Sequence, residues 1–193
     1  MKFNKIPEDT FKQIQLGAGV LLSNFNPETG ELDLSDILGA TSGGVNFSAV
    51  PSYSDYGEDI DNCPKNTKEL KKLDAWEVKM SGSYVTATAE SVRSACGAAD
   101  VSGNKITPRA DLKDTDFADL WWVGDYSDKN GEANGGFIAL HMLNGLSTGG
   151  FVIQSTDKAK GKFSFEYTGH YSIAEQTVVP FEAYVKAGSE EAA

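Results

Sequence analysis

The chain has 193 residues, 40% hydrophobic and 23% charged, a balance that suits one folded domain and excludes general disorder. Seventeen Lys and Arg against 28 Asp and Glu leave a formal charge of −11, which opposes tight binding to nucleic acid or to anionic membranes. Twenty glycines beside six prolines point to turns between strands rather than to polyproline segments.

The opening MKFNKIPEDTF has no apolar run behind its lysines, so it reads as neither a secretory signal nor a lipidation site, and a cytoplasmic origin is expected. It forms a polar arm over 1–11. A first strand is expected within 11–25, FKQIQLGAGVLLSNF, stopped by NPETG, where Pro27 suits the second position of a turn and Gly30 its end. Over 44–53, Val45, Phe47 and Ala49 alternate with Asn46 and Ser48, the period of a strand with one buried face. Pro51 places its far end at an edge or a bulge. Residues 54–73 then read as a long loop, acidic first (Asp55, Glu58, Asp59, Asp61) and basic afterwards (Lys65, Lys68, Lys71, Lys72).

Over 74–86, Trp76, Val78, Met80, Gly82 and Tyr84 alternate with Glu77, Lys79, Ser81 and Ser83, which predicts an antiparallel strand with one wet face. The period then changes. Ala89, Val92, Cys96 and Ala99 stand three and four apart, so a helix is expected over 88–99 with Thr88 as its N-cap. Ile106 falls in a loop, 117–126 (FADLWWVGDY) is a strand, and Asn130-Gly131 makes a hairpin turn. No charged residue occurs from Ala133 to Thr156, a length that could span a membrane. However, Asn134, His141, Asn144, Ser147, Gln154 and two Gly-Gly pairs would be costly in hydrocarbon. Two buried strands bent at NGLSTGG are expected instead. In GKFSFEYTGHYSI, Phe163, Phe165 and Tyr167 alternate with Lys162, Ser164 and Glu166, and PFEAYV precedes a loose tail at 186–193. Seven or eight strands and one helix predict a mainly β domain spanning 1–193: an antiparallel β-sandwich or partly closed barrel with one flanking α-helix.

Little in the sequence points to catalysis. His141 and His170 lie within strand patterns, where a satisfied core histidine is the simplest reading, and GxSxG, HExxH, GxxxxGK[ST] and GxGxxG are all missing. No enzyme, catalytic residue or cofactor is expected. Cys63 and Cys96 lack zinc or CxxC spacing and read as free thiols. YSDKNGE fails as a calcium loop, because Tyr126 stands where the first carboxylate is needed and Phe137 where the last is. The acidic groups Asp55, Glu58, Asp59 and Asp61, then Asp111, Asp114, Asp116 and Asp119, read most simply as solvated faces. The adjacent Trp121 and Trp122 must point to opposite faces of a strand, so only one of them is expected in the core.

The strings KIPEDTF, QLGAGVLLSNFNPETG, GATSGGVNFSAVPSYSDYGEDIDNCPKNTKELKKLDAWEVKMSG, DLWWVGDYSDKNGEANGGFIALHMLN and STGGFVIQSTDKAKGKFSFEYTGHYSI cover most of residues 5–185. In their order and spacing they resemble the major tail tube proteins of long-tailed bacteriophages, or prophages, of Gram-positive bacteria. The resemblance implies a β-sandwich whose copies form hexameric rings stacked into a hollow tail tube in the virion, assembled in the host bacterial cytoplasm. It implies as partners a tape-measure protein inside the tube, tail terminator and baseplate proteins at its ends, and viral DNA that passes without specific binding. No additional decoration domain is expected at the C-terminal end. Within such a tube, Asp59 and Asp61 of one copy would face Lys65, Lys68 or Lys71 of another across rings. Asp55, Glu58, Asp111, Asp114, Asp116 and Asp119 would supply an acidic lumen that repels DNA within a Debye length of about 8 Å. The alternatives are a monomeric sandwich that binds carbohydrate on Trp121, Trp122 and Tyr126, and the tube protein of a contractile tail or type VI secretion system.

Overall fold

The computed structural model describes residues 6–7, 10, 13–126 and 135–188. Most of the expected arm at 1–11, the turn at Asn130 and Gly131, and most of the tail at 186–193 lie outside them. The strands are β1 (Gln15–Leu22), β2 (Thr41–Asp55), β3 (Lys71–Tyr84), β4 (Ala99–Ser102), β5 (Lys105–Pro108), β6 (Ala118–Tyr126), β7 (Gly136–Ser147), β8 (Val152–Gln154), β9 (Lys162–Gly169) and β10 (Phe181–Lys186). Among the described residues the one α-helix, α1, spans Ala89–Cys96. Every strand pairing is antiparallel.

β7 joins the two layers. Of its residues, Gly136 to Gly145 pair with β6, Phe137 to Met142 pair also with β10 on the other side, and β1 pairs the far side of β6, which makes the first sheet. Its last two residues, Leu146 and Ser147, leave that sheet and pair with β9. β8 continues the same line along β9, and β3 and β2 complete the second sheet, with β2 at its edge. The period-two patterns explain the sandwich, because the inward set of each sheet is apolar. Leu21, Leu120, Trp122 and Met142 from the first sheet meet Val78, Met80, Tyr84, Phe165 and Tyr167 from the second in one buried cluster.

The outer face of the first sheet carries a second core. Leu22, Phe25, Trp121, Val123, Phe137 and Ala139 are buried there, beneath the segment that follows β1 and is tied back through the Leu22–Ile37 bridge. Both adjacent tryptophans are therefore buried, 7% and 9% exposed. The expectation that only one would enter a core fails because β6 is covered on both sides. Trp122 lies across Gly19 and Gly124, where a Cβ would come within 2.6 Å of the indole, and its Nε1 donates to the Ala18 carbonyl at 3.1 Å.

Thr88 caps α1 as its sequence predicts. Its Oγ1 accepts from the Ser91 N–H at 3.0 Å, and the Ser91 hydroxyl accepts from the Thr88 N–H at 2.9 Å. Gly97, at φ 74°, ends the helix in a backbone region that favours glycine, so Ala99 opens β4 instead of closing the helix. Three other expectations change. Ile106 sits in β5, paired with Val101, where a loop was expected. β8 is exposed rather than buried. The long loop shortens to 56–70, because Ser54 and Asp55 continue the ladder opposite Lys72 and Lys71. Pro51 does lie on an edge strand, beside a register shift between Ser52 and Tyr53.

Candidate functional site

The most prominent surface element is the far half of the β2–β3 hairpin. β9 pairs β3 only as far as Val78 opposite Gly169, and the next donor, the Trp76 N–H, is taken by the Tyr171 hydroxyl at 2.9 Å. Beyond it the two strands run on as a ribbon, with no third strand beside them among the described residues, as far as Asp55 opposite Lys71. Val50, Tyr53 and Leu73 along this arm, and Tyr56 and Ile60 in its loop, are all exposed. Such a row of apolar side chains on a projecting ribbon is poorly explained by the monomer alone.

The loop 56–70 is locally organised. Asp55 closes it with both carboxylate oxygens, Oδ1 accepting from the Gly57 N–H at 2.9 Å and Oδ2 from the Asn66 N–H at 3.0 Å. The Tyr56 N–H donates to the Leu70 carbonyl at 3.0 Å, and Thr67 Oγ1 donates to the Pro64 carbonyl at 2.7 Å. Asn62 and Asn66 take the left-handed backbone that asparagine tolerates, at φ 62° and 60°. Lys71 Nζ donates to Asn66 Oδ1 at 2.7 Å and lies 5.8 Å from the centre of the Tyr53 ring. Asp59, Asp61, Lys65 and Lys68 are exposed, and among the described residues no ion pair joins them to one another. The loop thus presents carboxylates and ammonium groups on a rigid tip.

The acidic residues proposed for a lumen separate into distinct environments. Asp116 is buried, and its carboxylate accepts from the Lys113 N–H at 2.8 Å while pairing with the Arg109 guanidinium. The Lys113 N–H, and then Arg109, hold its carboxyl below the usual aspartate range. It is unavailable to line a channel. Arg109 also faces Asp100 at 3.0 Å and, more loosely, Asp111 at 3.9 Å, so the guanidinium gathers three carboxylates at the corner between the β4–β5 hairpin and the 3-10 turn at Asp114–Asp116. Asp55 is engaged in closing its loop, and Asp119 accepts from the Asn144 N–H at 3.0 Å while facing His141. Glu58, Asp111, Asp114 and Asp119 are the exposed members of the set.

His141 is a feature the linear sequence hides. Its ring stacks on Trp121 at 3.8 Å with an 8° interplanar angle, Nε2 lies 3.2 Å from Asp119 and Nδ1 lies 3.4 Å from Glu182. Tyr184 donates to the same Glu182 oxygen at 2.6 Å, and this hydrogen bond lowers the Glu182 carboxyl more than His141 does. The group ties β6, β7 and β10 together around a buried His141 ring, with the Asp119 and Glu182 carboxylates half exposed, and it serves as a fastener of the first sheet. Its members are 22 and 41 residues apart, and no local motif announces them. His170 bonds with Asn144 O at 3.2 Å and meets Phe117 edge-on.

Cys63 and Cys96 are free thiols, and burial pushes the Cys96 thiol up. Among the described residues, no helix is long and apolar enough to cross a membrane, and no group of three or more His, Cys, Asp and Glu side chains could hold a metal ion. The chain matches no protein-family model and no curated protein sequence.

Proposed function

We propose that the protein is a structural, non-enzymatic subunit of a phage tail tube, in which copies form hexameric rings that stack around a tape-measure protein and later conduct viral DNA. The observation that carries this reading is the β2–β3 arm: a free two-stranded ribbon with exposed Val50, Tyr53 and Leu73 and a rigid, oppositely charged tip. An element of this kind gains from burial against a copy of the same chain, and a heterologous contact that repeats by rotation and translation builds rings and then tubes. Exposed charge pairs are worth about 0–1 kcal/mol singly, so Asp59 and Asp61 facing Lys65, Lys68 or Lys71 act through repetition along the tube. In this reading Glu58, Asp111, Asp114 and Asp119 are the exposed carboxylates that can keep a DNA duplex from adhering to the lumen. A sugar-binding monomer has less to recommend it, since Trp121 and Trp122 offer no exposed platform.

The experiment is to replace 57–69 by Asn-Gly, a two-residue turn suited to the Tyr56 and Leu70 ends of the hairpin. Purified wild-type protein is expected to form rings or tubes in negative-stain images at high concentration. The shortened variant is expected to keep its β-rich circular dichroism and to give rings that do not stack. A wild-type chain that stays monomeric at every concentration reached, or a shortened variant that forms normal tubes, would overturn the assignment.

A further inference from the structure

Two exposed patches on different layers of the sandwich are complementary in charge and in apolar character. The first is the segment 25–37 that covers the outer core. Between Lys12 and Lys65 the chain has no basic residue, and this segment carries Glu28, Glu31, Asp33 and Asp36. Phe25 and Ile37 pack it onto the outer core, while Leu32 and Leu34 are exposed, the latter by 78%. The two leucines line an open depression of about 730 Å³ together with Glu31, Asp33 and Asp36. Local bonds fix its shape. Asp33 Oδ1 accepts from the Ser35 N–H at 2.8 Å and caps the 3-10 turn at Leu34–Asp36, and the Ser23 N–H donates to the Asp36 carbonyl at 2.9 Å. Among the described residues no ion pair reaches any of the four carboxylates.

The second patch is the β8–β9 hairpin. Every residue from Phe151 to Lys160 is exposed, with Phe151, Val152 and Ile153 among them. Its loop holds Lys158 and Lys160, and Lys162 opens β9, against the single carboxylate of Asp157. The Ala159 N–H closes the turn on the Thr156 carbonyl at 3.2 Å, and among the described residues none of the three lysines is ion-paired. Each patch thus sets uncovered apolar side chains beside charge of one dominant sign, the make-up of an interface with a polar rim. One lies on the first sheet and the other on the second, and no ion pair joins them within the chain.

We infer that the acidic segment 28–36 of one copy receives the β8–β9 hairpin of a second copy, with Phe151, Val152 and Ile153 against Leu32 and Leu34 and the three lysines facing the carboxylates. The contact is head to tail, since each copy carries one patch of each kind, and it closes into a ring by rotation. The inference rests on the ring-forming reading above and concerns a surface separate from the arm tip, which joins rings. Exposed ion pairs contribute about 0–1 kcal/mol singly. The apolar side chains therefore supply the buried area, and the charges select which patches meet.

The test uses two full-length variants, Glu28→Lys with Glu31→Lys in the segment, and Lys160→Glu with Lys162→Glu in the hairpin, all at exposed positions. Circular dichroism and melting check that each stays folded. Each alone is expected to raise the concentration needed for ring formation by at least about tenfold, equivalent to about 1.4 kcal/mol per contact. An equal mixture is expected to assemble near the wild-type concentration, because copies that alternate set the reversed segment against the reversed hairpin and the native segment against the native hairpin. Unimpaired rings from either variant, or impaired variants whose mixture recovers nothing, would overturn the pairing of these patches while leaving the tube reading intact. Retention of duplex DNA by the wild type that the hairpin variant loses, with its rings unchanged, would assign the lysines to nucleic acid instead. A wild-type chain that never assembles would overturn the tube reading, and this contact with it.

Discussion

The arm tip and the β4–β5 corner are both rich in charged side chains, and they use charge in opposite ways. At the corner, Arg109 is 11% exposed and gathers Asp100, Asp111 and the 1%-exposed Asp116. Leaving Asp116 buried without its partner would be costly, so this network fastens the hairpin to the 3-10 turn beside it. At the tip, Asp59, Asp61, Lys65 and Lys68 stand in water, while Asp55 is drawn into the fold through backbone N–H groups and Lys71 through Asn66. The same composition is therefore consumed internally at one site and displayed at the other. Charge count along the sequence does not distinguish the two; the presence of a buried arginine does.

This contrast predicts a ranking of effects. The reference for a purely internal loss is Trp122→Ala, which empties the cradle between Gly19 and Gly124 and should cost about 3–5 kcal/mol in denaturant unfolding. A loss below about 1 kcal/mol would show that the main core is loosely filled. Arg109→Met should lower the melting temperature clearly, and it should do so without any change in assembly of the fraction that is folded. Thr88→Ala should cost about 1 kcal/mol through loss of the helix cap. Smallest of all should be the stability effect of Lys65→Glu with Lys68→Glu, whose melting curve should overlay that of the wild type while tube formation fails. If that pair melts early, the tip is part of the fold and the contrast is lost.

Acid sharpens the comparison. Asp116 has its carboxyl lowered in the folded chain, by the Lys113 N–H first and Arg109 after it. Its contribution is therefore fully present above the ordinary aspartate range and disappears as pH falls through the lowered native value. Melting temperatures from pH 6 to pH 3 should fall more steeply for the wild type than for Asp116→Asn, which has no such proton to gain. Parallel slopes would show that the corner does not titrate with folding.

The strands that face the main core were legible because their apolar residues alternate without interruption, as in Trp76 to Tyr84 and Phe163 to Tyr167. Thr88 was legible for a local reason too, since a capping residue acts within one helical turn. Period two sends Trp121 and Trp122 to opposite faces of β6 but does not show that both faces are covered; the covering strip, Phe25 to Ile37, has no strand pattern of its own. β4 and β5 were missed because four-residue strands hold too few alternations to register. The sequence reads 54–73 as loop because Asp55 and Lys71 are loop-type residues, although they form the last rung of a ladder. The His141 cluster could not be seen at all, being assembled from three strands.

The placement of the three tryptophans gives the molecule built-in optical reporters. Trp122 sits in the main core, Trp121 in the outer core against the His141 ring, and Trp76 packs on Phe181 near the root of the arm. Emission from a chain retaining only Trp76 would follow events at the arm's base, while the other two, one residue apart, would register the inner and outer layers separately. Time-resolved fluorescence could thus tell whether the layers loosen together or in turn, without any attached dye.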